Sequence, residues 1–294
     1  MVACALAVAG CHRDARARLW IGGDVHLGTR GAPAAARLAP LAEVLAGATG
    51  VINLEGPVAD AAGPGRLANG AALVPGLAPR VRVAGVANNH AADAGPDGAA
   101  RTIAVLRAAG IAPAGERAGA AVIDLDGLRV VVSAHDLSRG TPAGLGAELA
   151  LARTQGDVLI AMFHTDGPPS YLPRPELRDA VARALRAGAA VVVAQGSHAL
   201  AAVERRDRAV IAWGLGNLLF DCDCTDERDG LIVRVDLDAS GVVDAAVIPV
   251  DAGLHGEPAR LAADAALTFD LLASLRSSPL ARSGASARIL ATPP

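Results

Sequence analysis

One pattern limits what this chain can fold into more than any other: short β-branched runs alternate with Ala-rich stretches along most of its length. Runs at 19–22, 51–54, 81–86, 121–125, 128–134, 158–163, 190–194, 210–213, 231–237 and 243–250 are mostly bounded by Gly, Pro, Asn or Asp, and they predict strands. Between them, helices are expected at 34–48, 98–109, 143–153, 176–187 and 258–275. Two of these carry explicit end signals: Asp97 caps one and Gly110 ends it, while Pro175 opens another and Gly188 closes it. The helix at 176–187 places Leu177, Val181 and Leu185 in one apolar stripe with arginines around it. The early half reads as strand then helix, repeated; the late half reads as strands with few helices between. That combination predicts an α/β chain with two packed sheets and helices outside, not one doubly wound sheet.

A chain of 294 residues buries a sizeable core, and with no internal repeat or low-complexity linker it reads as one large domain. The expected division is a leader at 1–18, a main domain at 19–250, and a C-terminal helix with a frayed tail at 251–294. Loops at 63–76 and 140–146 are rich in Gly, Pro and Ala and read as insertions. A net charge of -3 and an aromatic content of 2% argue against nucleic acid as a partner. Every one of the 27 basic side chains is Arg, which points to coding bias.

The first ten residues are uncharged and mostly apolar, too few to span a bilayer, and they run into Val8-Ala9-Gly10-Cys11. This resembles the lipobox of bacterial lipoproteins and implies export, with Cys11 as a lipid anchor and the sole link to the membrane. The positive segment that normally precedes such a stretch is missing, so a leader without a targeting role stays open. Cys222 and Cys224 are separated by one residue; a bridge between them needs strained geometry, and two free or metal-capturing thiols are equally compatible with the sequence.

Chemistry collects at the ends of the expected strands. The first is followed by Asp24 and His26, the second by Asn53 and Glu55, and the third by Asn88, Asn89, His90 and Asp93. Later runs deliver His164, then Ser197 and His198, then Asn217 and Asp221. Of the seven histidines, four (His26, His90, His164 and His198) lie just past an apolar run, where an α/β sheet opens its functional crevice. Imidazole and carboxylate together suit Zn, Fe or Mn better than Ca. Gly216 suits a sharp turn beside Asn217, and His135, just past the run at 128–134, reads as a loop residue with lining of the pocket as the alternative. Arg205 and Arg206, flanked by Glu204 and Asp207, read as a solvated hairpin tip.

Four motifs occur in order: Gly-Asp-x-x-Leu-Gly at 23–28, Asn-Leu-Glu-Gly-Pro at 53–57, Ala-Asn-Asn-His-x-x-Asp-x-Gly at 87–95, and Leu-Gly-Asn-Leu-Leu-Phe-Asp at 215–221. Together they resemble the CapA family of poly-gamma-glutamate capsule biosynthesis proteins, related to calcineurin-like metallophosphoesterases. The resemblance implies a four-layer α-β-β-α sandwich with a centre for one or two divalent ions. It assigns Asp24, His26 and Glu55 to a first metal, with Glu55 bridging to a second held by Asn89, His164 and His198. His90 would protonate a leaving group or steady the phosphoryl charge, and Asn53, Asn88, Ser197 and Asn217 would support the site or touch substrate; Asp93, three residues after His90, either orients its ring or caps the following turn.

Two departures matter. The last histidine motif reads Gly196-Ser197-His198-Ala199-Leu200, so Leu200 stands where a further ligand of the first metal belongs, which leaves one ion or two compatible with the sequence. The family's His-Trp-Gly-x-Glu is altered as well: His164 is followed by Thr165, Asp166 and Gly167, which leaves Asp166 as a partial substitute. Two functions are implied. One is a metal-dependent hydrolase of a phosphoester or an envelope-polymer bond. The other is a non-catalytic subunit for synthesis or export of an anionic polymer, working with membrane-bound synthesis proteins in the cell envelope.

Overall fold

A computed structural model describes residues 15–61 and 63–291. The lipobox-like segment and Cys11 lie outside the described residues. In chain order the strands are β1 Ala17–His26, β2 Thr49–Leu54, β3 Val81–Gly85, β4 Ala112–Ala114, β5 Ala121–Leu125, β6 Leu128–Asp136, β7 Val158–His164, β8 Ala189–Gln195 and β9 Val203–Arg206. They continue as β10 Ala209–Ala212, β11 Asn217–Phe220, β12 Asp229–Asp238, β13 Gly241–Asp251, β14 Gly253–Leu254, β15 Arg260–Leu261, β16 Leu280–Ser283 and β17 Ser286–Ile289. The α-helices are α1 Ala34–Arg37, α2 Ala42–Leu45, α3 Gly98–Ala108, α4 Leu145–Arg153, α5 Pro175–Arg186 and α6 Ala265–Ser274.

The strands form two sheets. One runs β16-β17-β13-β12-β1-β2-β3-β4, with β11 and β14 beside β1 and β15 on β13; the other runs β5-β6-β7-β8-β10-β9. The two-residue period of a strand sorts its side chains into different cores. Val130 and Val132 of β6, Ile160 and Met162 of β7, and Ile21, Val51 and Val83 of the first sheet share the core between the sheets. Their neighbours point outward: Trp20, Ile52 and Ala84 meet Leu45 of α2 and Leu106 of α3, while Val131, Leu159 and Ala161 meet Leu149 of α4 and Leu177 and Val181 of α5. Three cores between four layers make an α-β-β-α sandwich, the architecture that the resemblance implies. In this arrangement the carboxyl ends of β1, β2 and β3 face those of β6, β7 and β8, and Gln195 ties the sheets together by donating from Nε2 to the Gly22 carbonyl at 2.9 Å.

Several elements differ from expectation for identifiable reasons. The helix expected at 34–48 breaks into α1, a 3-10 turn over Ala39–Leu41 and α2, because Pro40 lacks an N–H and clashes with a preceding helical turn. Asp97 stands at the start of α3, but its side chain makes no capping bond. The helix expected at 258–275 shortens to α6, whose start is set by Asp264 accepting from the Ala266 and Leu267 N–H groups. The tail expected to fray instead forms the β16-β17 hairpin, and β17 pairs antiparallel with β13. The burial of Ala287 and Ile289 and the Arg288 to Asp244 pair at 2.9 Å account for this ordering. Cys222 and Cys224 are joined as a disulfide, so neither is a free thiol. No helix of the described residues is long and apolar enough to cross a membrane.

Candidate metal centre

The site begins with an irregularity in β1. Ile21 faces the inter-sheet core, yet Val25 faces the outer core with Trp20, so the alternation shifts by one residue between them. Gly22 and Gly23 absorb that shift: a Cβ on Gly23 would run into the Gly216 carbonyl, so only glycine lets the two backbones close on each other. The consequence is that Asp24 turns inward, fully buried, with its N–H donating to the Gly216 carbonyl at 3.0 Å.

Around Asp24 the other strand ends assemble. Its Oδ1 accepts from Asn53 Nδ2 at 2.8 Å, and its Oδ2 accepts from the Gly196 N–H at 2.8 Å. Asp24, Glu55 and His164 offer ligand atoms that all lie within 4.8 Å of one another. Three imidazoles surround the Glu55 carboxylate, with Nε2 of His198, His90 and His164 at 3.8, 4.0 and 4.0 Å from its Oε1. The other oxygen, Oε2, is buried and has no hydrogen-bond partner among the described residues.

Hydrogen bonds fix which ring atoms face the site. His164 stands between two side-chain amides, its Nδ1 3.2 Å from Asn53 Nδ2 and its Nε2 2.9 Å from Asn89 Oδ1. Asn217 donates through Nδ2 to the Glu227 carbonyl at 3.0 Å, which leaves its Oδ1 to accept from His198 Nδ1 at 2.9 Å and the His198 Nε2 lone pair turned toward Glu55. His198 is held with a φ of 51°, a left-handed conformation uncommon for a non-glycine residue. At the mouth, His90 donates from Nδ1 to Asp93 Oδ2 at 2.7 Å, and that carboxylate is anchored by the Leu67 N–H at 2.7 Å. Asn88 bonds Asn53 Oδ1 at 3.3 Å and the Leu54 carbonyl at 3.0 Å, fixing the Asn53 amide from behind.

Burial dominates the electrostatics. Desolvation raises the Glu55 carboxyl well above the ordinary range, with further repulsion from Asp24, Asp166 and Asp93. Asp24 is raised for the same leading reason, although His198 and the bonds from Asn53 and Gly196 pull it back. The His164 imidazole is pushed down to about 3, first by burial and then by His198 and His90. Two buried carboxylates beside the neutral His164 ring, one carboxylate oxygen without a partner among the described residues, make a strongly cation-seeking arrangement. Its donors fit a divalent ion of the Mn, Zn or Fe type.

Not every expected residue joins this cluster. His26, two residues beyond Asp24 on β1, is not among the three residues whose ligand atoms converge, although its ring bonds the Glu55 backbone and lies near His90. Its ring packs 5.6 Å from Phe220, its Nδ1 is unpartnered, and burial drives its pKa down to about 4. Ser197 turns away, donating to the Ala199 carbonyl at 3.3 Å. Leu200 is buried in the inter-sheet core and bridges Leu215, so that position supplies packing and no ligand. Asp166 is exposed, its Oδ1 accepting from the Gly167 N–H at 2.6 Å. Asp221 makes a two-pronged pair with the buried Arg37 guanidinium at 2.7 and 2.8 Å and braces the loop beside the site. The grouping also mixes the two expected ligand sets, joining Asp24 of one with His164 of the other around Glu55.

Some supporting residues carry no motif. Asn69, in a loop read as an insertion, accepts from the Leu27 N–H at 2.7 Å and donates to the Glu55 and Gly56 carbonyls at 2.8 and 3.0 Å, clamping the end of β1 to that of β2. Gly196 has a φ of 87°, and a side chain there would strike the Thr165 carbonyl and the His164 ring. Its lone sequence signal was its place between Gln195 and the Ser197-His198 pair.

Comparison with known proteins places this geometry in context. The family described as bacterial capsule synthesis protein PGA_cap matches residues 18–222. No protein of curated function matches the chain. Among solved structures, a novel phosphatase from Mycoplasma pneumoniae is similar at a TM-score of 0.55 and 13% identity, covering 81% of this chain and 95% of that one. A hypothetical protein from Thermus thermophilus is similar at a TM-score of 0.54 and 11% identity, covering 80% of this chain and 99% of that one. At these identities the likeness is one of fold.

Proposed function

Since the chain belongs to the bacterial capsule synthesis protein family, we propose that it is a metal-dependent hydrolase of cell-envelope polymer metabolism, acting on a phosphoester or on an ester or amide bond of an anionic polymer. The observation that carries this reading is the buried Glu55 carboxylate, unpartnered at Oε2 and ringed by Asp24 and three imidazoles. Asp24, Glu55 and His164 would hold the ion, with His198 and the Asn89 carbonyl oxygen at its border. Bound there, a divalent ion would supply Lewis acidity and a water acidified to near-neutral pKa.

The chain's own residues divide the remaining work. Asn53, held by Asn88, keeps Asp24 and His164 at fixed separation. His90 stands at the half-open mouth with its Nδ1 proton held by Asp93, so its Nε2 is the atom that delivers a proton to a departing oxygen. Asp93 positions that ring. The cell envelope is the proposed location, through export and a Cys11 lipid anchor, with membrane-bound polymer synthesis proteins as partners.

Turnover of 4-nitrophenyl phosphate and bis(4-nitrophenyl) phosphate with added Mn or Zn tests the reading. Wild type is expected to exceed His90→Ala by about 10²–10⁴-fold; equal rates would contradict it. The burial of Leu200 favours a second reading, a non-catalytic subunit for polymer synthesis or export that keeps one structural ion. Metal binding without turnover would select it.

A further inference from the structure

Away from the metal centre, β6 and α4 bring together a serine, a histidine and a glutamate. Ser133 and His135 are two residues apart on β6 and share the face that carries Val131, which α4 covers. Ser133 Oγ lies 2.8 Å from His135 Nε2, and His135 Nδ1 lies 3.6 Å from Glu148 Oε2. The ring is held from behind by Phe163, 6.0 Å between centroids. Glu148 stands in the first turn of α4, and Gly144 leaves room beside its carboxylate because it has no Cβ. Ser133, His135 and Glu148 line one cavity of about 270 Å³, whose remaining wall includes Gly119, Ala120 and Leu151.

We propose that Ser133, His135 and Glu148 form a second reactive site, in which Ser133 is a nucleophile toward small uncharged acyl esters. The hydroxyl donates to Nε2, which places the ring proton on Nδ1 toward Glu148, the relation that activates a serine. Burial lowers the His135 pKa against the opposing pull of Glu148 and Glu116, and so keeps the ring neutral and able to accept a proton. The 3.6 Å gap to Glu148 closes by side-chain rotation, because that carboxylate is 58% exposed on its helix. Glu116 and Glu148 make the cavity acidic, which selects against anionic substrates, and its small lining residues select a short acyl group.

The chemistry balances without a further reactant. Ser133 Oγ adds to the ester carbonyl carbon as its proton passes to His135 Nε2. The bond to the alcohol oxygen then breaks, and the alcohol leaves with that proton. Water, deprotonated by the same nitrogen, adds to the acyl-serine; the bond to Ser133 Oγ breaks as that proton passes from Nε2 to Oγ, and the carboxylic acid leaves, so ester and water become acid and alcohol.

The test uses the full chain, with and without chelator, and a fluorophosphonate probe. Attack by Ser133 forms an Oγ–P bond and expels fluoride, leaving an adduct that peptide mass spectrometry locates. The expected result is a Ser133 adduct unaffected by chelator, formed at least tenfold faster than in His135→Ala and severalfold faster than in Glu148→Gln. The glutamate variant alters an exposed side chain and guards against loss of fold in the histidine variant. Labelling of Ser133 should persist in Glu55→Gln, which separates this site from the metal centre. Absence of a Ser133 adduct, or equal labelling in wild type and Glu148→Gln, would overturn the proposal.

Discussion

Replacing Glu55 with Gln separates the cost of the buried carboxylate from its purpose. In the metal-free protein, burial and neighbouring carboxylates raise the Glu55 carboxyl well above its ordinary 4.5. A carboxyl whose folded pKa is raised gives up stability as pH climbs from its unfolded value toward its folded one, because the unfolded chain releases the proton first. Metal-free Glu55→Gln, which has no proton to lose, should therefore melt at or above metal-free wild type at pH 8, and the gap should narrow toward pH 4.5. The amide binds cations poorly, so the metal-dependent gain should vanish with it. A cation present at a hundred times its dissociation constant stabilises the native state by about 2.7 kcal/mol, or roughly 4–5 °C for a chain of this size. Thermal melts of chelator-dialysed protein, with and without Mn or Zn at both pH values, read all these quantities. A Glu55→Gln protein that melts well below wild type without metal, and still gains the full shift with it, would refute the reasoning.

Three further outcomes follow from particular contacts. The His26 pKa falls from 6.5 to about 4 on folding, so metal-free stability should decline by about 3 kcal/mol as pH drops across that window, and His26→Asn should flatten that part of the pH-stability curve. Arg37→Met leaves Asp221 without its two-pronged partner and should cost about 3–5 kcal/mol in denaturant unfolding, with the Gly253 and Glu257 carbonyls also left unbonded. Asn69→Ala removes three hydrogen bonds around Glu55 without touching the cluster, and metal affinity measured by calorimetry should weaken about 10–100-fold.

Much of this organisation is written in local pattern. The β-branched runs are legible because strands buried on both faces have few other compositions, and their cut-off at polar residues marks where the sheets end. That is why Asp24, Glu55, His90, His164 and His198 are identifiable as a set before any geometry is known. What escapes is non-local. Asn69 acts through three backbone partners in two other segments, and nothing in a Gly-rich loop announces that. The β17 strand owes its order to the β13 edge beside it, which its Ser- and Pro-rich surroundings conceal. Ser133 reads as an ordinary strand residue and His135 as a loop residue until α4 brings Glu148 over them.

The central claim is that the buried carboxylates exist to hold a cation, and metal content tests it most directly. Purified protein incubated with Mn or Zn, desalted and analysed by elemental mass spectrometry, should retain about one ion per chain, with retention lost in Asp24→Ala and Glu55→Gln. No metal above background in wild type, or equal metal in the variants, would contradict the account.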